Sequence, residues 1–391
     1  MPKLPDGCYL FGSGITDDSI RKIIETYSNG GRSIYSLLIL AGSKTAEVEG
    51  ISWAGATAKA RRYTALADAE LLIKGPSSDR KWSLPPLPAG VSPALISHVA
   101  SKLIDLDTNV INVGLKQVSQ SEYFSIEHPP QGPALCLSSG KSMSLERVEA
   151  LWNKGFEIGH QLDKPILISE CVPGGTTTAQ AVLTGLGLEV GKLINGSVLN
   201  PPFQLKKNLI EKGLKQASLG LNPSPKKLLA AIGDPFQPLA VGLILGARSA
   251  GQEVLLGGGA QMLAVLALAI RHEIKSARLK FVEGILLSTT SWLFNEKINS
   301  SICDSSIAQL MAKIEKLFDV SLLGVSSGLN FKSSYSKALR DYELGYIREG
   351  VGAGAISFLA ELSGISCYKL VDHCEKAVIA LTLNNNLNIK E

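Results

Sequence analysis

The sequence predicts an α/β protein: a doubly wound parallel sheet with helices on both faces, plus a smaller helical part from the N- and C-terminal segments. Three observations predict it. Apolar, β-rich runs recur and end in Gly, Ser or Glu: SIYSLLILAG, DKPILIS, QEVLLGG, LKFVEGILLS and VSLLGVS. Segments with apolar residues three and four apart follow several of them, among them SLERVEALWNKGFEIGHQL, TTAQAVLTGLG, QLKKNLIEKGLKQ and AQMLAVLALAIRHEI. Strand–turn–helix units in series cover both faces of a parallel sheet.

Taken in order, the proline-rich stretches at 75–90, 127–133 and 222–227 read as loops. The first sets an expected boundary. Residues 1–90 are assigned to the small part, 91–362 to the main α/β unit, and 363–391 to a return into the small part, with the polar end LNNNLNIKE fraying. No internal repeat is visible.

The 391 residues are 45% hydrophobic and 19% charged, too apolar for a disordered chain. The most membrane-like window, VLLGGGAQMLAVLALAI, is broken by three glycines and a Gln before it reaches about 20 apolar residues. MPKLPDGCYL does not read as a secretory leader, so a cytoplasmic location is expected. Cysteines 8, 136, 171, 303, 367 and 374 are dispersed without C-x-x-C spacing and are expected as free thiols. A net charge of +4, with no basic run interleaved with aromatics, argues against nucleic acid and leaves anionic small ligands.

In such sheets ligands bind where the turns after the strands gather. After KPILIS come Glu170, Cys171, Val172, Pro173, Gly174, Gly175, Thr176 and Thr177, then a helical run. Glycines let the backbone approach a ligand, and a helix start offers N–H groups to a phosphate. Thr176 or Thr177 either caps that helix or binds the phosphate. LLGGGAQ, with Gly258 and Gly259, reads as a second strand–glycine–helix turn, and REGVGAGAISFLAEL, with Gly350 and Gly352, as a third. Three such turns on one edge suggest a nucleotide-sized ligand, although no turn spells the dinucleotide pattern G-x-G-x-x-G.

Other patterns fail. GKS at 140–142 has Leu135 where a P-loop needs glycine, and HEIKS ends in Ser276 rather than the second zinc-binding His. His373, Cys374 and Glu375 lack a second ligand pair, so no metal and no cofactor are expected. GVSSG at 324–328 fits a nucleophile elbow with Ser326, followed by Asp341 and His373, which keeps a serine hydrolase as a remote alternative.

Together the turns resemble a family. Residues 170–177 are similar to the E-x-x-x-G-x-T-T turn of nicotinate-nucleotide:dimethylbenzimidazole phosphoribosyltransferases, and REGVGAGA resembles that family's L-G-E-G-T-G-A turn. KKNLIEKGL resembles its lysine-led helix, LLGGGAQMLAVLAL its double-glycine strand–helix, and FVEGILLSTTSWL its D-G-F-x-S-T-A strand. These five stand in the family's order within residues 140–362, and EVEGISWAGATAKARR (47–62) weakly resembles the family's E-G-V-S segment. The chain is most similar to the diverged, phosphoribosyltransferase-like branch. Glu283 stands where the family has Asp, Ser169, Val172 and Pro173 depart around Glu170, and the N-terminal histidine–glycine motif is missing.

The resemblance implies transfer of phosphoribosyl from nicotinate mononucleotide to a lower-ligand base of benzimidazole or purine type, in assembly of the cobamide (vitamin B12) nucleotide loop, by a homodimer. It matches Glu349 to the catalytic base, Glu170 to a second active-site acid, and Lys206 to the active-site lysine, with Lys207 as its neighbour in register. Gly174, Gly175, Thr176 and Thr177 match the phosphate turn, and Gly258, Gly259, Glu283, Gly350 and Gly352 the rest of the nucleotide site. Read from the residues alone, Glu349 is instead a surface glutamate paired with Arg348 or a lysine. A nucleotide-binding protein of the same fold that has lost or redirected catalysis is the alternative of another class.

Overall fold

The computed structural model describes all residues except 1–2, 53, 56, 86, 88, 116–122, 197–199, 221, 297–304 and 388–391. Cys303 therefore lies outside the described residues, as do Trp53 and Ala56 of the 47–62 segment and the last four residues of the polar end.

Eight strands form one sheet: β1 (Tyr9–Phe11), β2 (Tyr35–Ala41), β3 (Thr108–Val113), β4 (Phe124–Ser125), β5 (Ile166–Cys171), β6 (Val254–Gly257), β7 (Ile285–Thr289) and β8 (Leu323–Ser326). Their order is β1-β8-β7-β6-β5-β2-β3-β4, parallel throughout except for β1, which runs antiparallel to β8 at one edge. From β2 the chain proceeds outward through β3 and β4, then returns to β5 and proceeds the other way. The β2/β5 seam, in register from Tyr35 opposite Ile166 to Leu40 opposite Cys171, is thus the topological switch point.

The strands are apolar on both faces, as a sheet covered on both sides requires. Leu37, Ile39, Ile166 and Ile168 face one core with helices Leu145–His160, Gly175–Gly185, Phe236–Ser249 and Ala260–His272. Leu38, Leu40 and Leu167 face the other, with helices Thr64–Lys74, Ala94–Leu103, Ala353–Leu362 and Cys367–Leu387. Helices Leu145–His160 and Phe236–Ser249 cross closely because glycines face each other: a Cβ on Gly155 would lie 2.2 Å from the Leu239 carbonyl oxygen, and one on Gly242 2.1 Å from that of Trp152.

Several expectations change. β2 is central to the sheet and β1 is its edge, so the boundary at residue 90 does not separate residues 1–90 from the sheet. The C-terminal helix packs on helix Ala94–Leu103, inside the expected main unit, and touches the N-terminal segment where Asn384 donates to the Pro76 carbonyl. That helix runs through residue 387 where fraying was expected. In LKFVEGILLS the strand is only Ile285–Thr289. Arg278–Val282 is helical; at its end the Arg248 guanidinium donates to the Phe281 carbonyl at 3.1 Å and packs where a Gly284 side chain would be. No strand precedes Gly350 and Gly352; residues 346–350 are irregular and lead directly into helix Ala353–Leu362.

Candidate active site

At the carboxyl rim beside the switch point lies a cavity of about 530 Å³, within the range of small-molecule sites. Its charged lining is Asp68, Glu170, Glu349 and Lys206, its glycine turns are at 174–175 and 350, and an apolar wall includes Leu84, Val91, Ile347 and Leu381. Residues far apart in sequence meet here because β5 and the loop after β8 end on the same rim.

The β5 turn is built by glycine. Gly174 has φ +78°, and a Cβ there would sit 3.1 Å from the Ala46 backbone. It is the N-cap of helix Gly175–Gly185 and supplies no side-chain cap, so neither threonine caps the helix. The Gly175 and Thr177 amides close the turn onto Val172 and Gly174 carbonyls at 2.8 and 2.9 Å. Thr176 lines the cavity, whereas Thr177 is fully buried beneath it, its hydroxyl without a partner among the described residues. Lys206, 1% exposed on helix Phe203–Ala217, donates to the Ile194 carbonyl at 3.0 Å and to Thr176 Oγ1 at 3.4 Å. Burial lowers its pKa to about 8 against the pull of Glu296, so near neutral pH it is a cation that readily yields its proton.

Glu349 opens a loop of three consecutive positive φ values: Gly350 at +155°, Val351 at +54° and Gly352 at +71°. A β-branched residue at positive φ is a backbone outlier of the sort that clusters at functional sites. Donors from three sides hold it. The Val351 amide donates to the Glu170 carbonyl at 3.2 Å, and Ser97 Oγ to the Val351 carbonyl at 2.9 Å. Glu349 Oε2 accepts from Thr289 Oγ1 (3.0 Å) and the Thr290 amide (2.7 Å), and Oε1 from the Gly350 and Gly354 amides (3.0 and 3.2 Å). Burial raises its pKa while these four donors oppose the shift. Arg348 does not make Glu349 a surface pair: its guanidinium reaches the Gly196 carbonyl at 2.6 Å and Glu296 at 3.1 Å.

Glu170, the penultimate residue of β5, has a pKa of about 8, raised first by burial and then by buried Asp234, Glu349 and Asp68. Asp234 accepts from Thr178, Gln261 and the Phe236 and Gln237 amides, which oppose but do not cancel the rise in its pKa that burial causes. Asp68, on helix Thr64–Lys74, accepts from Ser92 at 2.6 Å and from the Cys171 thiol at 3.4 Å, and burial lifts it to about 6. Cys171 is thus a protonated thiol donor to Asp68, pushed well above the ordinary thiol range by burial.

Other expected residues lie elsewhere. Gly258 and Gly259 do start a helix after β6, but their faces are filled by Met262 and Leu293, and they do not line the cavity. Gly352 packs on Ser169 rather than lining it. Glu283 is exposed just before β7, on the amino rim of the sheet, and so faces away from the turns. The hydrolase constellation does not assemble. Ser326 is buried, its hydroxyl without a partner among the described residues, Asp341 binds Lys337 and the Gly90 amide, and His373 Nδ1 pairs with the Lys369 carbonyl. Glu375 is taken by Ser334 and the Tyr335 amide.

Sequence inspection misses Asp68 and Asp234. The sign of Asp68 was an acid in the apolar helical run TALADAELL, whose residues 64–72 are all buried; the run's other acid, Glu70, is paired with Lys74 at 3.0 Å. Asp234 sits in GDPFQP, which reads as an ordinary turn.

Comparison with known proteins matches this architecture. Residues 93–279 match the phosphoribosyltransferase family. The fold is that of CobT from Thermus thermophilus, with TM-score 0.56 and 15% identity over 91% of this chain and 92% of that one. A nicotinate-nucleotide–dimethylbenzimidazole phosphoribosyltransferase structure from the same organism gives TM-score 0.55 and 16% identity, over 86% and 82% of the two chains. The chain belongs to the UPF0284 family. It is 53% identical to the UPF0284 protein of Prochlorococcus marinus (strain MIT 9313) over 96% of this chain and 93% of the relative. To that of Parasynechococcus marenigrum (strain WH8102) it is 48% identical, over 96% and 94%. Among the described residues no helix is long and apolar enough to cross a membrane.

Proposed function

We propose that the cavity transfers phosphoribosyl from nicotinate mononucleotide to an aromatic azole base of benzimidazole or purine type, releasing nicotinate. The observation that carries this reading is the distribution of charge in one cavity: Lys206 and Thr176 beside the β5 turn at one place, and Asp68, Glu170 and Glu349 around the rest. A monoanionic or dianionic phosphate suits the lysine and the helix start. A ligand with positive charge near its reacting carbon suits the acids.

Nicotinate mononucleotide has both. Its glycosidic nitrogen is already quaternary, so C1′–N cleavage sends the bond's electron pair to that nitrogen and expels neutral-ring nicotinate without a general acid. The ribosyl group passes through a cation-like transition state, which buried carboxylates stabilise more than they stabilise the ground state. The azole attacks C1′, gains positive charge, and loses its N–H proton to one cavity carboxylate. Leu84, Val91, Ile347 and Leu381 give a flat ring an apolar wall.

The test is to incubate the purified protein with nicotinate mononucleotide and dimethylbenzimidazole, benzimidazole or adenine, and to measure free nicotinate and the new ribotide. Stoichiometric formation of both with at least one base is expected. Saturable nucleotide binding with no release for any base makes the protein a binder instead.

A further inference from the structure

The two glutamates of the cavity differ in what their oxygens have left to do. Glu349 Oε1 and Oε2 each accept two hydrogen bonds from the protein, from the Gly350 and Gly354 amides and from Thr289 and the Thr290 amide. A carboxylate offers about four lone-pair sites, and here all four are filled. Two of the donors are amides of the positive-φ loop and the helix behind it. Gly354 cannot move away, since a Cβ there would lie 2.1 Å from Thr289. A proton could reach Glu349 only by displacing one of these donors.

Glu170 is held differently. Its main chain is fixed by β2 and by the Val351 amide, while its carboxyl group takes a backbone bond from Val172 and lines the cavity. It stands four residues before Gly174, so the phosphate turn and this side chain leave the same strand end.

Resting on the transfer reading, we propose that Glu170 takes the proton of the attacking base and that Glu349 is a positioning residue that fixes the loop of Gly350, Val351 and Gly352. In that step the azole nitrogen forms its bond to C1′, the C1′–N bond of nicotinate breaks with its electron pair leaving on nicotinate, and the azole N–H proton passes to a Glu170 oxygen. No further reactant is needed.

The charged groups facing Glu170 are Asp68 from helix Thr64–Lys74, Asp234 from the turn before helix Phe236–Ser249, Glu349 from the loop, and Lys206 across the cavity. Burial first, and then the three acids, raise it to about 8, and the pyridinium of the bound nucleotide opposes them. Loss of the Glu170 proton therefore lifts the free enzyme's kcat/KM as pH approaches about 8, as a base that must lose its proton requires, until loss of the Lys206 proton in the same range brings it down.

The experiment measures nicotinate release by the wild type, Glu170→Gln, Glu170→Gly, Glu349→Gln and Glu349→Gly, with and without sodium formate, alongside nucleotide affinity and Tm. Expected are a loss of kcat of about 100-fold or more in Glu170→Gln with nucleotide affinity within about threefold. Formate restores part of the rate to Glu170→Gly. Glu349→Gly loses Tm and activity, and formate does not restore it. Glu170→Gln guards against a glycine variant that fails to fold. Formate rescue of Glu349→Gly alone, or near wild-type kcat in Glu170→Gln, overturns the assignment while leaving transfer intact. No release by the wild type overturns the transfer reading and this assignment with it.

Discussion

The turn after β5 and the turn after β6 are two copies of one local idea with different fates. Both follow an apolar strand with adjacent glycines and start a helix, at Gly175 and Ala260. The β5 turn borders the cavity; the β6 turn is packed by Met262 and Leu293 and does not. The difference is position in the sheet. β5 stands at the switch point beside β2, where the connections diverge and leave a crevice, whereas at the end of β6 the Leu293 side chain, from the helix Ser291–Phe294 that follows β7, packs on Gly259. Local sequence made both turns competent for a phosphate, and topology leaves only one of them open to the cavity.

The comparison can be broken most strongly at Lys206. Lys206→Met keeps the buried stem and removes the charge near Thr176. Charge-assisted hydrogen bonds are worth about 1.5–3 kcal/mol, so nicotinate mononucleotide affinity should fall about 10- to 100-fold by calorimetry. Unchanged affinity would move the phosphate away from this turn. In the wild type the same lysine predicts that affinity weakens as pH rises through about 8, where the ammonium is lost. With Glu170 gaining competence in the same range, kcat/KM should peak near pH 8 rather than plateau.

Paired glycine substitutions come next. Gly174→Ala forces a side chain into positive φ and against Ala46, at a cost of about 1–2 kcal/mol, and should weaken nucleotide binding about tenfold. Gly259→Ala meets only the end of the flexible Leu293 side chain and should leave affinity within about twofold. Equal losses in both would abolish the contrast between the turns. The smallest effect expected is that of Asp234→Asn, which removes an anion that raises Glu170 and should move the rise of kcat/KM to lower pH. A shift to higher pH contradicts the stated electrostatics.

Much of the fold was legible because strand runs such as KPILIS and YSLLILA are apolar on both faces and stop at turn residues, and because amphipathic helices follow them. Residues 236–247 hid as a helix since every position is buried, which erases periodicity. β1 and β4 are too short, at three and two residues, to show alternation. In the site, the β5 turn was legible from residue type and order, whereas Glu349 came only through the family resemblance, since its neighbours alone read it as a surface glutamate. Asp68 and Asp234 were not, because an acid's function here comes from what helix packing brings around it. Glu283 shows the converse: a motif placed it with the site, but its position before rather than after β7 puts it on the opposite rim.

The most direct measurement is a crystal structure with nicotinate mononucleotide soaked into the protein. The account predicts the phosphate against Gly174, Gly175, Thr176 and Lys206, with C1′ turned towards the cavity acids and the Glu170 carboxyl nearest the site of the incoming base. A phosphate bound at the Gly258 and Gly259 turn, or a nucleotide whose ribose lies away from Glu170 and Glu349, would contradict it.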